Sequence, residues 1–219
     1  MVAVLFDLEG TLVETLYERD SGAVDELRRE TKKKIMSLGV PAVVLEDLVT
    51  STLLRNKAFD WVEANMGPAE GVSFHAELDS FMKSFEMRSA KLSRLYPDTL
   101  EALEELDSRG VEMGMATNTS WEAADSILRN LGLKGFFKVI VTRNDVPRLK
   151  PEPAMVFTAI TRMERSVGWF VGNSRFDTEA AVRAGISSII VRRDGIRPSF
   201  SYDYFISSLN DVPSIVFGG

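Results

Sequence analysis

Five short apolar runs recur along the chain, and each stops abruptly at a cluster of polar residues. Val2 to Phe6 runs into Asp7-Leu8-Glu9-Gly10-Thr11, and Val111 to Ala116 into Thr117-Asn118-Thr119. Val139 to Val141 leads to Thr142-Arg143-Asn144-Asp145, Val167 to Val171 leads to Gly172-Asn173-Ser174, and Ser188 to Val191 leads to Arg192-Arg193-Asp194-Gly195. Continuous apolar runs rich in β-branched residues suit strands buried on both faces, as in a parallel sheet. Between them the apolar spacing changes to the helical period. Pro97 to Arg109 carries Leu100, Leu103 and Leu106 and stops at Gly110, a residue suited to ending a helix. Ser120 to Leu131 opens on a residue suited to an N-cap and sets Ala123, Ala124, Ile127, Leu128 and Leu131 on one face. Pro153 to Met163 and Thr178 to Ala184 complete the series, the latter closed by Gly185. Strand and helix alternating over residues 95–195 predict a Rossmann-like parallel α/β core in three layers.

Residues 15–90 follow a different pattern, charged and helical throughout. The spacing predicts helices over Val24 to Leu38, Val43 to Met66 and His75 to Arg88, punctuated by Gly39-Val40-Pro41 and Gly67-Pro68. The expected organisation is a core of residues 1–14 and 91–219 with an all-helical module, residues 15–90, inserted after the first strand.

Composition narrows the chemistry. Among 219 residues there is one histidine, His75, and no cysteine, which excludes thiolate and multi-histidine metal sites. Carboxylates, hydroxyls, amides, Lys and Arg must carry whatever is done. The net charge of -6 argues against a general nucleic-acid binder, and Lys32-Lys33-Lys34 reads as a solvated helix face. The opening Met-Val-Ala-Val-Leu-Phe-Asp has neither a basic leader nor a long apolar stretch, and no run approaches the roughly 18–20 residues that cross a bilayer. A cytoplasmic protein without membrane or nucleic-acid partners is expected.

Ligands of open α/β sheets bind beyond the carboxyl ends of the strands. Those ends hold Asp7 and Glu9, Thr117 and Asn118, and Asn173 with Asp177, while Lys150 follows the third strand. Acids, hydroxyls, amides and a lysine gathered in this way are what phosphoryl chemistry uses: oxygen ligands for a hard cation, donors to phosphate oxygens, and a nucleophile.

On these residues the chain resembles the haloacid dehalogenase-like hydrolases. Asp7-Leu8-Glu9-Gly10-Thr11-Leu12 is similar to that family's first motif, Asp-x-Asp-Gly-Thr-Leu. Thr117-Asn118 resembles its second motif, Lys150-Pro151 its third, and Gly172 to Asp177 its fourth, in the same order and spacing across the α/β portion. The resemblance implies a phosphatase acting on a small phosphorylated metabolite, with the helical insert as a C1-type cap. It implies Asp7 as the nucleophile that forms an aspartyl-phosphate, Glu9 as general acid and base, and Thr117 and Lys150 as stabilisers of the transferring group. Gly10, Thr11 and Asn118 would contact substrate. Mg2+ would be held by Asp7, the backbone carbonyl of Glu9, and Asn173 or Asp177. A monomer or homodimer is expected.

Two positions depart from the family pattern. Glu9 stands where the second acid is normally Asp, which keeps the proton chemistry on an arm one methylene longer. Asn173 replaces the usual metal-ligating Asp, which predicts weaker metal affinity, since an amide oxygen coordinates without charge. These departures motivate an alternative: a weak or noncatalytic phosphate-binding or regulatory protein that keeps the fold. A carbon–halogen hydrolase is disfavoured by the acid at Glu9; so is a phosphonate hydrolase, which would need a cap lysine such as Lys57, and so is a phosphomutase. In the insert, Arg55, Lys57, Trp61 and His75 are candidates for substrate contact, with packing the simpler role for Trp61. Tyr17 and Glu18 stand close to where the chain leaves the core.

Overall fold

The computed structural model describes residues 3–218; Val2, which the sequence pattern puts in the first strand, lies outside the described residues. Strand β1 (Ala3–Phe6) is wholly buried. Its side chains alternate, so Val4 and Phe6 enter one apolar cluster and Ala3 and Leu5 another on the opposite face. This two-sided burial is why its sequence shows no polar alternation. β1 pairs in parallel with β4 (Glu112–Ala116) on one side and β6 (Val167–Gly172) on the other. β5 (Phe137–Val141) extends the sheet beyond β4, while β7 (Ser187–Val191) and β8 (Tyr204–Ile206) extend it beyond β6. The six-stranded order is β5-β4-β1-β6-β7-β8, with every pairing parallel.

Helices cover both faces. On one lie α5 (Thr99–Ser108), α6 (Trp121–Asn130) and α9 (Val212–Gly218), which bury Leu103, Leu106, Ile127, Leu128 and Val216 against the sheet. On the other lie α7 (Ala154–Met163) and α8 (Arg175–Ala184), with Met155, Val156, Met163, Ala180 and Ala181. Fully burying one such large aliphatic side chain contributes about 1.5–3 kcal/mol. The expected three-layer parallel α/β core is therefore observed.

Between β1 and α5 the chain forms α1 (Leu16–Arg19), α2 (Ser21–Ser37), α3 (Ser51–Asn65) and α4 (Pro68–Ala90). These helices enclose their own apolar cluster, including Ile35, Leu54, Phe59, Phe74 and Leu78. The strands leading into and out of this region, β2 (Val13–Glu14) and β3 (Arg94–Leu95), pair as a short antiparallel ribbon.

Several boundaries differ from the sequence expectation. The helix expected over Val43 to Met66 is broken into a 3-10 turn, Ala42–Leu45, and α3. Asp47 adopts a positive φ of 62° in the gap, and Thr50 caps α3 by accepting from the Leu53 N–H. The helix expected from His75 begins earlier, at Pro68, where a missing N–H costs nothing in the first turn. Ser120 stands at the N-cap of α6 without a side-chain cap bond. There the Trp121 N–H is satisfied by Asn144 Oδ1 and the Ser120 N–H by Glu86. The β2–β3 ribbon, β8 and α9 were not expected from the sequence. Lys33 and Lys34 are paired with Glu30 and Glu77, in keeping with an ordinary solvated face. Among the described residues no helix is long and apolar enough to cross a membrane.

Candidate active site

β1 is the point at which the strand order reverses, since the chain builds outward from it first through β4 and β5, then through β6, β7 and β8. A crevice opens at the carboxyl ends of strands about such a point. Asp7 sits there, 7 % exposed, with its N–H bonded 2.9 Å to the Val171 carbonyl at the end of β6. Thr117 is anchored likewise, its N–H 3.0 Å from the Val141 carbonyl at the end of β5. The sheet itself therefore fixes the two side chains relative to each other.

Lys150 ties the cluster together. Its ammonium lies 2.7 Å from Asp7 Oδ1, 2.7 Å from Asp177 Oδ1 and 2.9 Å from the Ala116 carbonyl. Burial alone would lower its pKa, but Asp177 and Asp7 outweigh burial and hold it above its ordinary value. Asn118 fixes the lysine's backbone from both sides: its amide donates to the Lys150 carbonyl, and its oxygen accepts from the Lys150 N–H at 3.0 Å. Asn118 lines the cavity, yet its side chain is committed to positioning Lys150.

Both carboxylate oxygens of Asp177 are engaged. Its Oδ2 accepts from the N–H groups of Asn173 and Ser174 and from the Ser174 hydroxyl at 2.6 Å, while Oδ1 takes Lys150. It therefore organises the turn after β6 and the start of α8. Gly172 is required beneath it, because a Cβ there would lie 2.4 Å from Asp177 Cβ. Asn173 has a lighter load, its Oδ1 reached by the Thr11 hydroxyl at 3.5 Å. Gly10, at φ 75°, gives Asn173 its room, since a Cβ on residue 10 would fall 2.0 Å from Asn173 Nδ2. Gly10 lines a neighbouring shallow groove, and Thr11 is buried behind the site.

Glu9 is held by a residue that the sequence reading missed. The Thr119 hydroxyl donates to Glu9 Oε2 at 2.5 Å. Burial pushes the Glu9 carboxyl up to about 8 despite that bond, so the group carries a proton at neutral pH. Asp7 is pushed up to about 6 by burial, against the downward pull of Lys150. Asp7 and Asp177 share one ammonium, which leaves the buried carboxylates short of positive charge. A hard cation fits that deficit: the donors at hand are carboxylate, amide and carbonyl oxygens, the set Mg2+ prefers. No group of three or more His, Cys, Asp or Glu side chains able to hold a metal occurs among the described residues. Any ion here would accordingly rest on few protein ligands and keep waters, as Mg2+ commonly does.

These residues line a cavity of about 280 Å³ closed over by α1, α2, α3 and α4. The helices are joined to the sheet and its loops by polar contacts that the sequence alone does not show. Asn56 of α3 bonds both the N–H and the carbonyl of Leu149 at 2.9 Å, next to Lys150. Arg143, fully buried, reaches Glu86 at 2.9 Å and also Asp79, both on α4. Asn56 had no local signal, because a residue two positions from both Leu54 and Ala58 points away from the helix face those two share; Thr119 had its place two residues after Thr117. Tyr17 and Glu18, expected close to where the chain leaves the core, line the cavity. Arg55 is instead buried against Asp79 and the Pro147 carbonyl, Lys57 is exposed, Trp61 packs on the apolar cluster of the helical region and His75 stacks on Phe59 at 3.8 Å.

A buried Asp thus stands at the switch point of a parallel sheet, bridged by a lysine to a second carboxylate, with helices packed above them. The model of the haloacid dehalogenase-like hydrolases matches residues 1–185, and the chain belongs to that family. Within it, the chain is 32% identical over 187 residues to a phosphoglycolate phosphatase of Cereibacter sphaeroides, covering 85% of this chain and 83% of that protein. It is 28% identical over 224 residues to a phosphoglycolate phosphatase of Pseudomonas syringae, covering 97% and 75%. Among solved structures, a HAD phosphatase from Thermococcus onnurineus superposes with a TM-score of 0.65 at 26% identity, covering 100% of this chain and 99% of that one. The chain is an enzyme of the phosphatase branch of the family.

Proposed function

We propose that the protein is a Mg2+-dependent phosphatase that hydrolyses a small phosphate monoester through an aspartyl-phosphate on Asp7. The observation that carries this reading is the triad of Asp7, Lys150 and Asp177 linked at 2.7 Å, beside the buried Glu9 carboxyl in the same cavity. The region between residues 15 and 90 acts as the cap, with the β2–β3 ribbon as its base. Asp7, Asn173 and the Glu9 carbonyl would hold the ion, whose charge would offset the repulsion between nucleophile and phosphate. Asp177 then acts through Lys150 and the Asn173–Ser174 backbone, since both its oxygens are already bonded.

Asp7 attacks phosphorus and the bond to the leaving oxygen breaks. Glu9, protonated near neutral pH, gives its proton to that oxygen. Lys150 and Thr117, which line the cavity, stabilise charge on the transferring group through the ammonium and the hydroxyl. Glu9, now a carboxylate, removes a proton from the water that hydrolyses the aspartyl-phosphate, which restores both side chains.

The test is phosphate release from an aryl phosphate with Mg2+ and with EDTA, by wild type and by Asp7→Asn. Metal-dependent release lost in the variant is expected. A folded protein that releases no phosphate at any metal concentration would instead favour the phosphate-binding role that Glu9 and Asn173 motivate.

A further inference from the structure

The half of the cavity away from Asp7 is built by the helical region, and its chemistry differs from the phosphate end. Val24, Leu27 and Met82 supply apolar surface, and Tyr17, Ser51 and Thr52 supply hydroxyls. Glu18 and Glu86 add carboxylates. Lys150 is the only cation among the described lining residues, and its ammonium is already bonded to Asp7, Asp177 and the Ala116 carbonyl. Cations just behind the wall are neutralised in place. Arg143 is bonded to Glu86 and Asp79, and Arg55 to Asp79 and the Pro147 carbonyl. In the adjoining groove Arg193 is held by Asp98 and the Thr11 carbonyl, and Arg192 by Asp194. A carboxylate on the leaving alcohol would find no free counter-ion here and would face Glu18, which no cation pairs among the described residues.

Two buried polar atoms of the same cavity lack any partner in the chain: the Tyr17 hydroxyl and Glu9 Oε1. Buried groups of this kind call for a hydrogen-bonding partner, which a ligand hydroxyl in this cavity would supply. Glu9 Oε1 suits the bridging oxygen of a phosphate ester. Tyr17 suits a further hydroxyl on the alcohol, with Ser51 and Thr52 alongside.

We propose that this cavity selects phosphate monoesters of uncharged, hydroxyl-bearing alcohols, short polyol or sugar phosphates, and rejects esters whose alcohol carries a carboxylate. The proposal rests on the phosphatase reading above. It separates this chain from the activity named for its phosphoglycolate phosphatase relatives, whose substrate carries a carboxylate on the alcohol.

Matched pairs test it directly. Glycerol 3-phosphate and 3-phosphoglycerate differ by a hydroxymethyl against a carboxylate, and so do 2-hydroxyethyl phosphate and 2-phosphoglycolate. With wild-type enzyme and Mg2+, kcat/KM for the neutral member of each pair should exceed that of the acid by about tenfold or more, as expected where one partner leaves a charge unpaired. Tyr17→Phe should lower kcat/KM for glycerol 3-phosphate more than for phenyl phosphate, which has no second hydroxyl. Equal values within the pairs, or a preference for the acids, would overturn the proposal while leaving the phosphatase reading intact. A preference for ethanolamine phosphate over 2-hydroxyethyl phosphate would overturn the requirement for an uncharged alcohol. No turnover of any ester, phenyl phosphate included, would remove both readings together.

Discussion

Replacing Asp177 by Asn isolates the electrostatic role of the second buried carboxylate. The change preserves shape, and the amide oxygen can still accept from the Asn173 and Ser174 N–H groups and the Ser174 hydroxyl, as Oδ2 now does. What it removes is the ion pair on the other side, where Oδ1 lies 2.7 Å from the Lys150 ammonium and both side chains are 2 % exposed. The new NH2 would there oppose an NH3+, donor against donor. Breaking a buried pair by removing one partner costs about 3–5 kcal/mol. Lys150 keeps Asp7 and the Ala116 carbonyl, so the lower end applies, about 3 kcal/mol. For a chain of this size that corresponds to a fall in Tm of roughly 6–12 °C. Ser174→Ala removes one hydroxyl bond from the same carboxylate and should cost about 1 kcal/mol. Urea unfolding of the three proteins at one pH, with m unchanged, measures both differences. A loss below about 1 kcal/mol in Asp177→Asn would refute the claim that this pair holds the site together.

Other consequences follow from single contacts. Gly10→Ala puts a methyl 2.0 Å from Asn173 Nδ2 and strains a φ of 75°. It should cost about 1–3 kcal/mol and raise the Mg2+ concentration needed for half-maximal phosphate release, a metal titration being the check. Burial, reinforced by Arg55, holds the His75 imidazole below its ordinary 6.5. The unfolded chain therefore takes up that proton first as pH falls, so the His75 contribution is complete above 6.5 and is lost as pH falls through the folded value. Thermal melts of wild type and His75→Phe between neutral and mildly acid pH should converge or cross as the wild type loses the His75 contribution; parallel curves would contradict this.

The core was legible where burial on two faces left no polar alternation. Val4, Leu5 and Phe6 can be read as a strand of a parallel sheet without any structure, and so can Phe170 and Val171. The polar residues that end these runs were legible for the same reason, because the chain has to leave the sheet there. β8 escaped because it is a three-residue edge strand with Tyr204 exposed, too short to show a period. The break before α3 escaped because it depends on Asp47 entering a conformation usually left to glycine. Within the site, the identities of Asp7, Lys150 and Asp177 were readable, but their division of labour was not. Nothing in the sequence says that Asp177 has both oxygens occupied, that Asn118 faces Lys150's own backbone, or that Thr119 holds Glu9. Those are properties of distance. Arg143 with Glu86 and Asn56 with Leu149 join residues 57 and 93 positions apart, beyond the reach of any local pattern.

The central claim is that Asp7 becomes covalently phosphorylated during turnover. Mixing enzyme with Mg2+ and excess phosphate ester, quenching in acid within the first turnovers and mapping peptides by mass spectrometry tests this directly. The account predicts one phosphoryl group on the peptide containing Asp7, discharged by hydroxylamine and absent from Asp7→Asn. Steady phosphate release with the label on another residue, or undiminished in Asp7→Asn, would contradict it.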